Sequence, residues 1–269
     1  MKVVLFCGGL GIRMREYSET IPKPMVEIGY RPVLWHVMRY YAFHGHREFV
    51  LCLGHGGDYI KRYFLNYDEC LSNDFVLSGG GHDVRLLNRD IHDWKITFAD
   101  TGKHANIGQR LLAAKPYLED DELFLANYSD GLSDLDLTSY LEFARHYDRV
   151  ASFVAVRPAQ SFHVISAREN GLVEGIAPVA QSDIWINAGF FVLKREIFDY
   201  IREGEELVDQ PFHRLIAARQ LLAYRHRGFF ACMDTYKEKQ LLDDLHARDQ
   251  MPWAVWRDRR NITAVRQTA

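Results

Sequence analysis

An apolar run at residues 3–7 passes directly into Gly8-Gly9-Leu10-Gly11-Ile12-Arg13, and ten residues further on Lys23 stands between Pro22 and Pro24. Glycines let a loop bring several backbone N–H groups close to an anion, so phosphate is the ligand such a turn would suit. The run lacks the third glycine of a dinucleotide fingerprint and the Gly-Lys-Ser/Thr of a Walker loop. By itself it serves equally well as a tight structural corner. The two prolines stiffen the segment around Lys23, and a pre-positioned ammonium suits a phosphate oxygen as a point charge; a solvated loop lysine is the other reading. Asp130 follows the apolar 122–127 run in Tyr-Ser-Asp-Gly, and Asp234 follows the apolar 228–232 run in Met-Asp-Thr. Each alone is an ordinary turn former. Together they have the oxygen chemistry to hold one Mg²⁺.

These residues need a frame, and the hydrophobic pattern supplies one. Residues 2–6, 48–54, 95–100, 122–127 and 150–156 read as strands; residues 32–45, 58–67, 108–118, 137–147 and 237–249 read as helices. Such alternation predicts an α/β fold with a Rossmann-like mixed, mostly parallel sheet flanked by helices. After residue 150 the strands shorten, which predicts a small antiparallel C-terminal extension. No repeat or linker divides the 269 residues, so a single domain is expected, with 1–150 mainly nucleotide-binding and 151–269 mainly acceptor-binding.

The 33 basic and 36 acidic residues leave a net charge of −3 with no basic run, which argues against nucleic acid or an anionic membrane as partner. Cys7, Cys52, Cys70 and Cys232 form no C-x-x-C pair, so free thiols and a cytoplasmic location are expected. The first apolar run is too short for a signal peptide or membrane span. The 12 histidines, His44, His46 and His82 among them, are scattered, and Trp35, Tyr40, Tyr41 and Phe43 belong on a helix as core or subunit contact.

Taken in order, Gly8–Arg13, Lys23-Pro24-Met25, residues 26–38, Asp100-Thr101-Gly102, residues 130–136, 186–193, 228–235 and 252–256 resemble the sugar-phosphate nucleotidyltransferases (pyrophosphorylases), and within them the cytidylyltransferase branch. The resemblance covers nearly the whole chain. It implies a GT-A-like fold and joining of CTP, or another nucleoside triphosphate, to a phosphorylated acceptor with release of pyrophosphate. The default acceptor it implies is a sugar 1-phosphate such as glucose 1-phosphate, on the way to polysaccharide precursors. Asp130 and Asp234 would hold Mg²⁺, and Lys23, Arg13 and Asp130 would be catalytic. The nucleotide would meet Gly8, Gly9, Leu10, Gly11, Ile12, Arg13, Lys23, Ile107, Gly108, Arg110 and Ser129. The acceptor would meet Tyr128, His163, Trp185 and Asn187, and a homo-oligomer is consistent with the family.

The chain departs from the family's pattern at Ile12 (Thr or Ser), at Ile107–Arg110 (Thr-Gly-Gly-Arg) and at Ser129 (Gly). The acceptor side differs more. Residues 175–185 contain no lysine where the family has Glu-Lys-Pro, and His163 replaces the glycine of Arg-Phe-Gly. His163, Arg157 or Lys194 would have to stand in for the lost charge. Otherwise the acceptor is a phosphorylated amino acid, polyol or phosphonate, or the chain is an inactive nucleotide-binding homologue.

Overall fold

Val3, Val4, Leu5 and Phe6 are all buried, a condition that only an interior strand covered on both faces satisfies. The computed structural model describes residues 1–9, 21–159 and 162–257. In chain order it contains β1 (Val3–Phe6), β2 (Glu27–Ile28), β3 (Arg31–Pro32), α1 (Val33–Phe43), β4 (Glu48–Leu53), α2 (Gly57–Leu65), β5 (Phe75–Ser78), β6 (Asp83–Leu86), β7 (Lys95–Asp100), α3 (Ile107–Ala114) and β8 (Leu123–Tyr128). There follow β9 (Gly131–Ser133), α4 (Leu137–Tyr147), β10 (Ala151–Val156), β11 (His163–Ala167), β12 (Val173–Pro178), β13 (Ile186–Asn187), β14 (Phe191–Lys194), α5 (Gln210–Ala217), β15 (Leu221–Arg225), β16 (Phe230–Cys232) and α6 (Tyr236–Ala247).

All five strands expected from the sequence lie in the main sheet. β4 and β8 flank β1 in parallel, and β7 extends the sheet in parallel beyond β4. On the other side β14 joins β8 and β10 antiparallel, while β15 closes that edge parallel to β10. The antiparallel part after residue 150 is of two kinds. β10, β13 and β14 belong to the main sheet, whereas the β11–β12 hairpin pairs only with itself among the described residues, and β16 folds back onto β9.

Strand alternation sends side chains into two cores. Val3 and Leu5 face one side with Val33, Val37, Tyr41 and Leu242 from α1 and α6; Val4 and Phe6 face the other with Leu111, Phe212 and Leu215 from α3 and α5. Fully burying each such aliphatic side chain contributes about 1.5–3 kcal/mol. Trp35, Tyr40 and Tyr41 are core residues, and Phe43 packs against them half-buried.

Local chemistry sets the helix limits. Pro32 caps α1, and Gly45, at φ +89°, turns the chain away after it. Asn106 with Gln109, and Thr235 with Glu238, form capping boxes at α3 and α6. The helix expected over 108–118 ends as an α-helix at Ala114 and tightens into a 3₁₀ turn over Lys115–Leu118, which carries Pro116.

The C-terminal aromatic segment is buried rather than trailing. Trp253 Nε1 donates to His36 Nδ1 at 3.3 Å, and His36 Nε2 donates to the Ile28 carbonyl at 3.1 Å. Burial pushes the His36 imidazole down to about 4. A depressed histidine keeps its full stabilising effect above the unfolded value of about 6.5 and loses it as pH falls from there toward the folded value. We therefore expect His36 to cost the fold about 2 kcal/mol between pH 7 and pH 5. Urea unfolding should show this loss, and it should be reduced in His36→Gln; an equal loss in the variant would refute the assignment.

Candidate active site

β1, β4, β7 and β8 end on one edge of the sheet, the carboxyl edge at which open α/β sheets bind ligands. Asp130 lies in the turn between β8 and β9, and Asp234 directly follows Met233 at the end of β16. β9 and β16 pair antiparallel with Gly131 opposite Cys232, and Met233 N–H donates to the Asp130 carbonyl at 3.0 Å. That register sets two distant aspartates side by side. Asp234 also lies just before the N-cap of α6, and its N–H donates to Glu238 Oε2 at 2.9 Å.

Lys23 meets both carboxylates. Its ammonium is ion-paired with Asp130 and with Asp234. It is held by a 3₁₀ turn at Lys23–Met25, closed by Met25 N–H to the Pro22 carbonyl at 2.8 Å, with Pro24 buried beneath. Burial acts to lower the lysine's pKa, but the charge of Asp130 and the hydrogen bonds to both aspartates outweigh it and raise the value overall. Lys23 is therefore a fixed positive charge.

Asp130, Cys232 and Asp234 offer ligand atoms that all lie within 4.8 Å of one another. Two carboxylates side by side offer hard oxygen donors, which fit a divalent cation of the Mg²⁺ type. The Cys232 thiol is pushed up by burial and by the neighbouring Asp130 charge, so it stays protonated and is a poor partner for such an ion.

Lys23, Asp130 and Asp234 line a cavity of about 360 Å³, within the range of small-ligand sites (roughly 300–1,000 Å³). Gly9, Ile107, Arg110, Tyr128 and Ser129 contribute to its wall, as do Asn106 and Glu206, which the sequence reading missed. Leu10, Gly11, Ile12 and Arg13 lie outside the described residues. A larger cavity of about 740 Å³ opens at the opposite end of the sheet, among Lys115, Arg145 and Lys194. Of the residues considered for the site it contains only Lys194, so convergence of function-bearing groups rather than volume singles out the smaller one. Lys194 is paired there with Asp148 at 2.6 Å, which removes it as a substitute for the absent acceptor lysine.

Several expected nucleotide contacts are also framework residues. Arg110 is 2% exposed. Its guanidinium donates to Gly8 O (2.8 Å), Leu53 O (3.2 Å), Thr101 Oγ1 (2.8 Å) and Gly102 O (3.0 Å), tying together the ends of β1, β4 and β7. A Cβ on Gly8 would come within 2.2 Å of that guanidinium. Ser129 Oγ donates to the Phe6 carbonyl at 2.9 Å, and Ile107 N–H donates to Glu206 Oε2 at 3.3 Å. Gly108 admits the backbone of Glu205, whose carbonyl would lie 2.2 Å from an added Cβ.

Of the four residues expected at the acceptor, two meet. The Asn187 side chain lies beside the Tyr128 phenol, whose pKa is raised by burial and by the charges of Glu206 and Asp130. Fully buried Asn127, a polar residue in an apolar strand, accepts from Tyr128 N–H and Phe190 N–H, each at 2.9 Å, and so orders this corner. Trp185 lies near the same edge, with the Arg157 and Arg225 guanidinium groups 5.5 and 5.0 Å from its ring centroid. His163 is exposed at the start of the β11–β12 hairpin, away from the cavity lining.

The sequence pattern of the Nucleotidyl transferase family matches residues 2–258. The chain is 36% identical over 258 residues to the glucose-1-phosphate cytidylyltransferase of Salmonella typhimurium, covering 95% of this chain and 100% of that protein. It is 37% identical, with the same coverage, to a Bacillus subtilis relative. A UTP-bound UGPase from Acinetobacter baumannii superimposes with a TM-score of 0.68 over 97% of this chain and 98% of that one, at 17% identity, which speaks for a shared fold.

Removing the Arg110 fork should loosen the floor of the cavity. Arg110→Met strands buried carbonyls and should lower the unfolding free energy by about 3 kcal/mol, with Arg110→Lys recovering only part of it. Urea midpoints measure this, and a loss below about 1 kcal/mol would remove the framework role.

Proposed function

We propose, from the premise that the chain belongs to the nucleotidyl transferase family, that it transfers the cytidylyl group of CTP to the phosphate of a sugar 1-phosphate, glucose 1-phosphate first, releasing pyrophosphate. The observation that carries the reading is the convergence of Lys23, Asp130 and Asp234 at the carboxyl edge of the sheet. The 36% identity over the full length of a glucose-1-phosphate cytidylyltransferase supports the choice of substrates.

The acceptor's phosphate oxygen attacks the α-phosphorus in line while the bond to pyrophosphate breaks. That oxygen is already anionic near neutral pH, since a phosphate monoester has a second pKa of about 6, so no general base is needed. The chain supplies position and opposite charge. Lys23 exchanges its carboxylate partners for phosphate oxygens of the triphosphate, helped by Arg13, while the Gly8–Gly9 backbone borders them. Mg²⁺ held by Asp130 and Asp234 would neutralise charge on the reacting phosphates. Ile107, Gly108 and Ser129 shape the nucleotide end, with Arg110 holding the strand ends beside them.

Tyr128, Asn187 and Trp185 form the acceptor end in this reading. Arg157 and Arg225, both beside Trp185, are the cations placed to answer for the lysine absent from 175–185. That absence favours a second reading, a non-sugar phosphate acceptor. The whole chain acts as one unit, since Glu206 and Asp234 of its later part line the cavity with residues of its first part. Exposed Phe75, Leu77 and Val84 on β5–β6 support self-association, and four free cysteines support a reducing, cytoplasmic setting. Among the described residues no helix is long and apolar enough to cross a membrane.

Pyrophosphate release with CTP, Mg²⁺ and a panel of phosphorylated acceptors tests the reading. Glucose 1-phosphate should give the highest kcat/KM; a phosphorylated polyol or amino acid in its place would select the second reading, and release with no acceptor would refute transfer. Asp130→Asn and Asp234→Asn should each lower Mg²⁺-dependent turnover by about 10²-fold or more. Unchanged rates in both would remove the metal assignment.

A further inference from the structure

The carboxylate of Glu206 is fixed in the cavity wall. Its Oε2 accepts from Ile107 N–H at 3.3 Å and its Oε1 from Leu207 N–H at 3.0 Å. The turn that carries it is braced against the start of α3, where Asn106 Nδ2 donates to the Gly204 carbonyl at 2.9 Å. Arg214 holds the same turn by donating to Glu205 Oε1 and to the Tyr200 carbonyl, both at 3.0 Å. Glu206 thus faces the cavity from a stiff support.

A carboxylate in this place does not serve the triphosphate, because like charges repel. The phosphates belong beside Lys23, which pairs with Asp130 and Asp234, whereas Glu206 meets the start of α3 through Ile107 N–H. Glu206 therefore borders a different part of the nucleotide. Without it, the open N–H groups at the start of α3 would present donors, which suit a carbonyl oxygen. Glu206 covers the Ile107 donor and reverses the polarity, since an ionised carboxylate only accepts. Cytosine carries a 4-amino donor where uracil and thymine carry an O4 acceptor.

We propose that Glu206 sets base specificity: it accepts a hydrogen bond from the 4-amino group of cytosine and turns away the O4 of uracil or thymine. Each of its oxygens keeps a lone pair beyond the one its backbone donor uses, so the contact to the base adds to the brace and does not break it. The inference rests on the chain being a cytidylyltransferase.

The test is pyrophosphate release with CTP and with UTP at saturating glucose 1-phosphate, for the unmodified chain and for Glu206→Gln. The glutamine amide can both donate and accept. The variant should lose CTP efficiency and gain UTP efficiency, shrinking the CTP:UTP ratio of kcat/KM by about 10- to 100-fold, the size expected of one hydrogen bond to a charged group. An unchanged ratio in a variant with native melting temperature would overturn the inference and leave Glu206 as a brace alone. A second measurement needs no variant: the shift in melting temperature of the unmodified chain with CTP, against a CTP analogue lacking the 4-amino group. The larger shift should come with CTP, and equal shifts overturn the inference. Failure of the unmodified chain to prefer CTP over UTP would instead sink the cytidylyltransferase reading on which the inference stands.

Discussion

Two carboxylates cannot sit together in a half-buried site without a compensating charge, and among the described residues the ammonium of Lys23 meets both. Lys23 pairs with both Asp130 and Asp234. The three groups come from the turn after β1, the turn after β8 and the end of β16, so much of the architecture serves to bring them together. The proline-flanked 3₁₀ turn presents the lysine. The β9–β16 ladder sets the aspartates in register. Two carboxylates set side by side suit a divalent cation.

Around this centre the structure uses buried polar side chains where loops alone would be loose. Arg110 joins the ends of three parallel strands through four acceptors. Asn127 ties β8 to the segment before β14 through Phe190, which sits at φ +49°. The Arg110 fork and Asn127 Oδ1 are met in this way and hold the surrounding backbone to one arrangement, while Asn127 Nδ2 is buried without a hydrogen-bond partner. The cavity is thus preorganised by residues whose polar groups are turned mostly toward the protein.

The two ends of the cavity differ in character. Near Lys23 the chemistry is that of charge, suited to phosphates. Near Ile107 and Glu206 it is that of hydrogen-bond direction, suited to a neutral ring with a donor. The region beyond Tyr128 and Asn187 leads toward Trp185 and its two arginines, on the same edge of the sheet. His163 stands apart on an exposed hairpin, because β11 and β12 pair with each other and not with the main sheet.

Much of this was legible in the residues alone. The alternating apolar runs specify the main strands and helices, since an interior strand or an amphipathic helix can bury its apolar face in few other ways. The glycine turn, the proline-flanked lysine and the two aspartates mark themselves by residue type and by resemblance to a family. Glu206 gave no such signal, being one of two adjacent glutamates in a polar stretch, and nothing in the sequence showed that the Arg110 guanidinium also ties backbone carbonyls. Such roles depend on which groups meet across 57 to 102 residues of chain. Local sequence determines the elements because their forces are local, whereas tertiary packing alone decides which buried donor finds which acceptor.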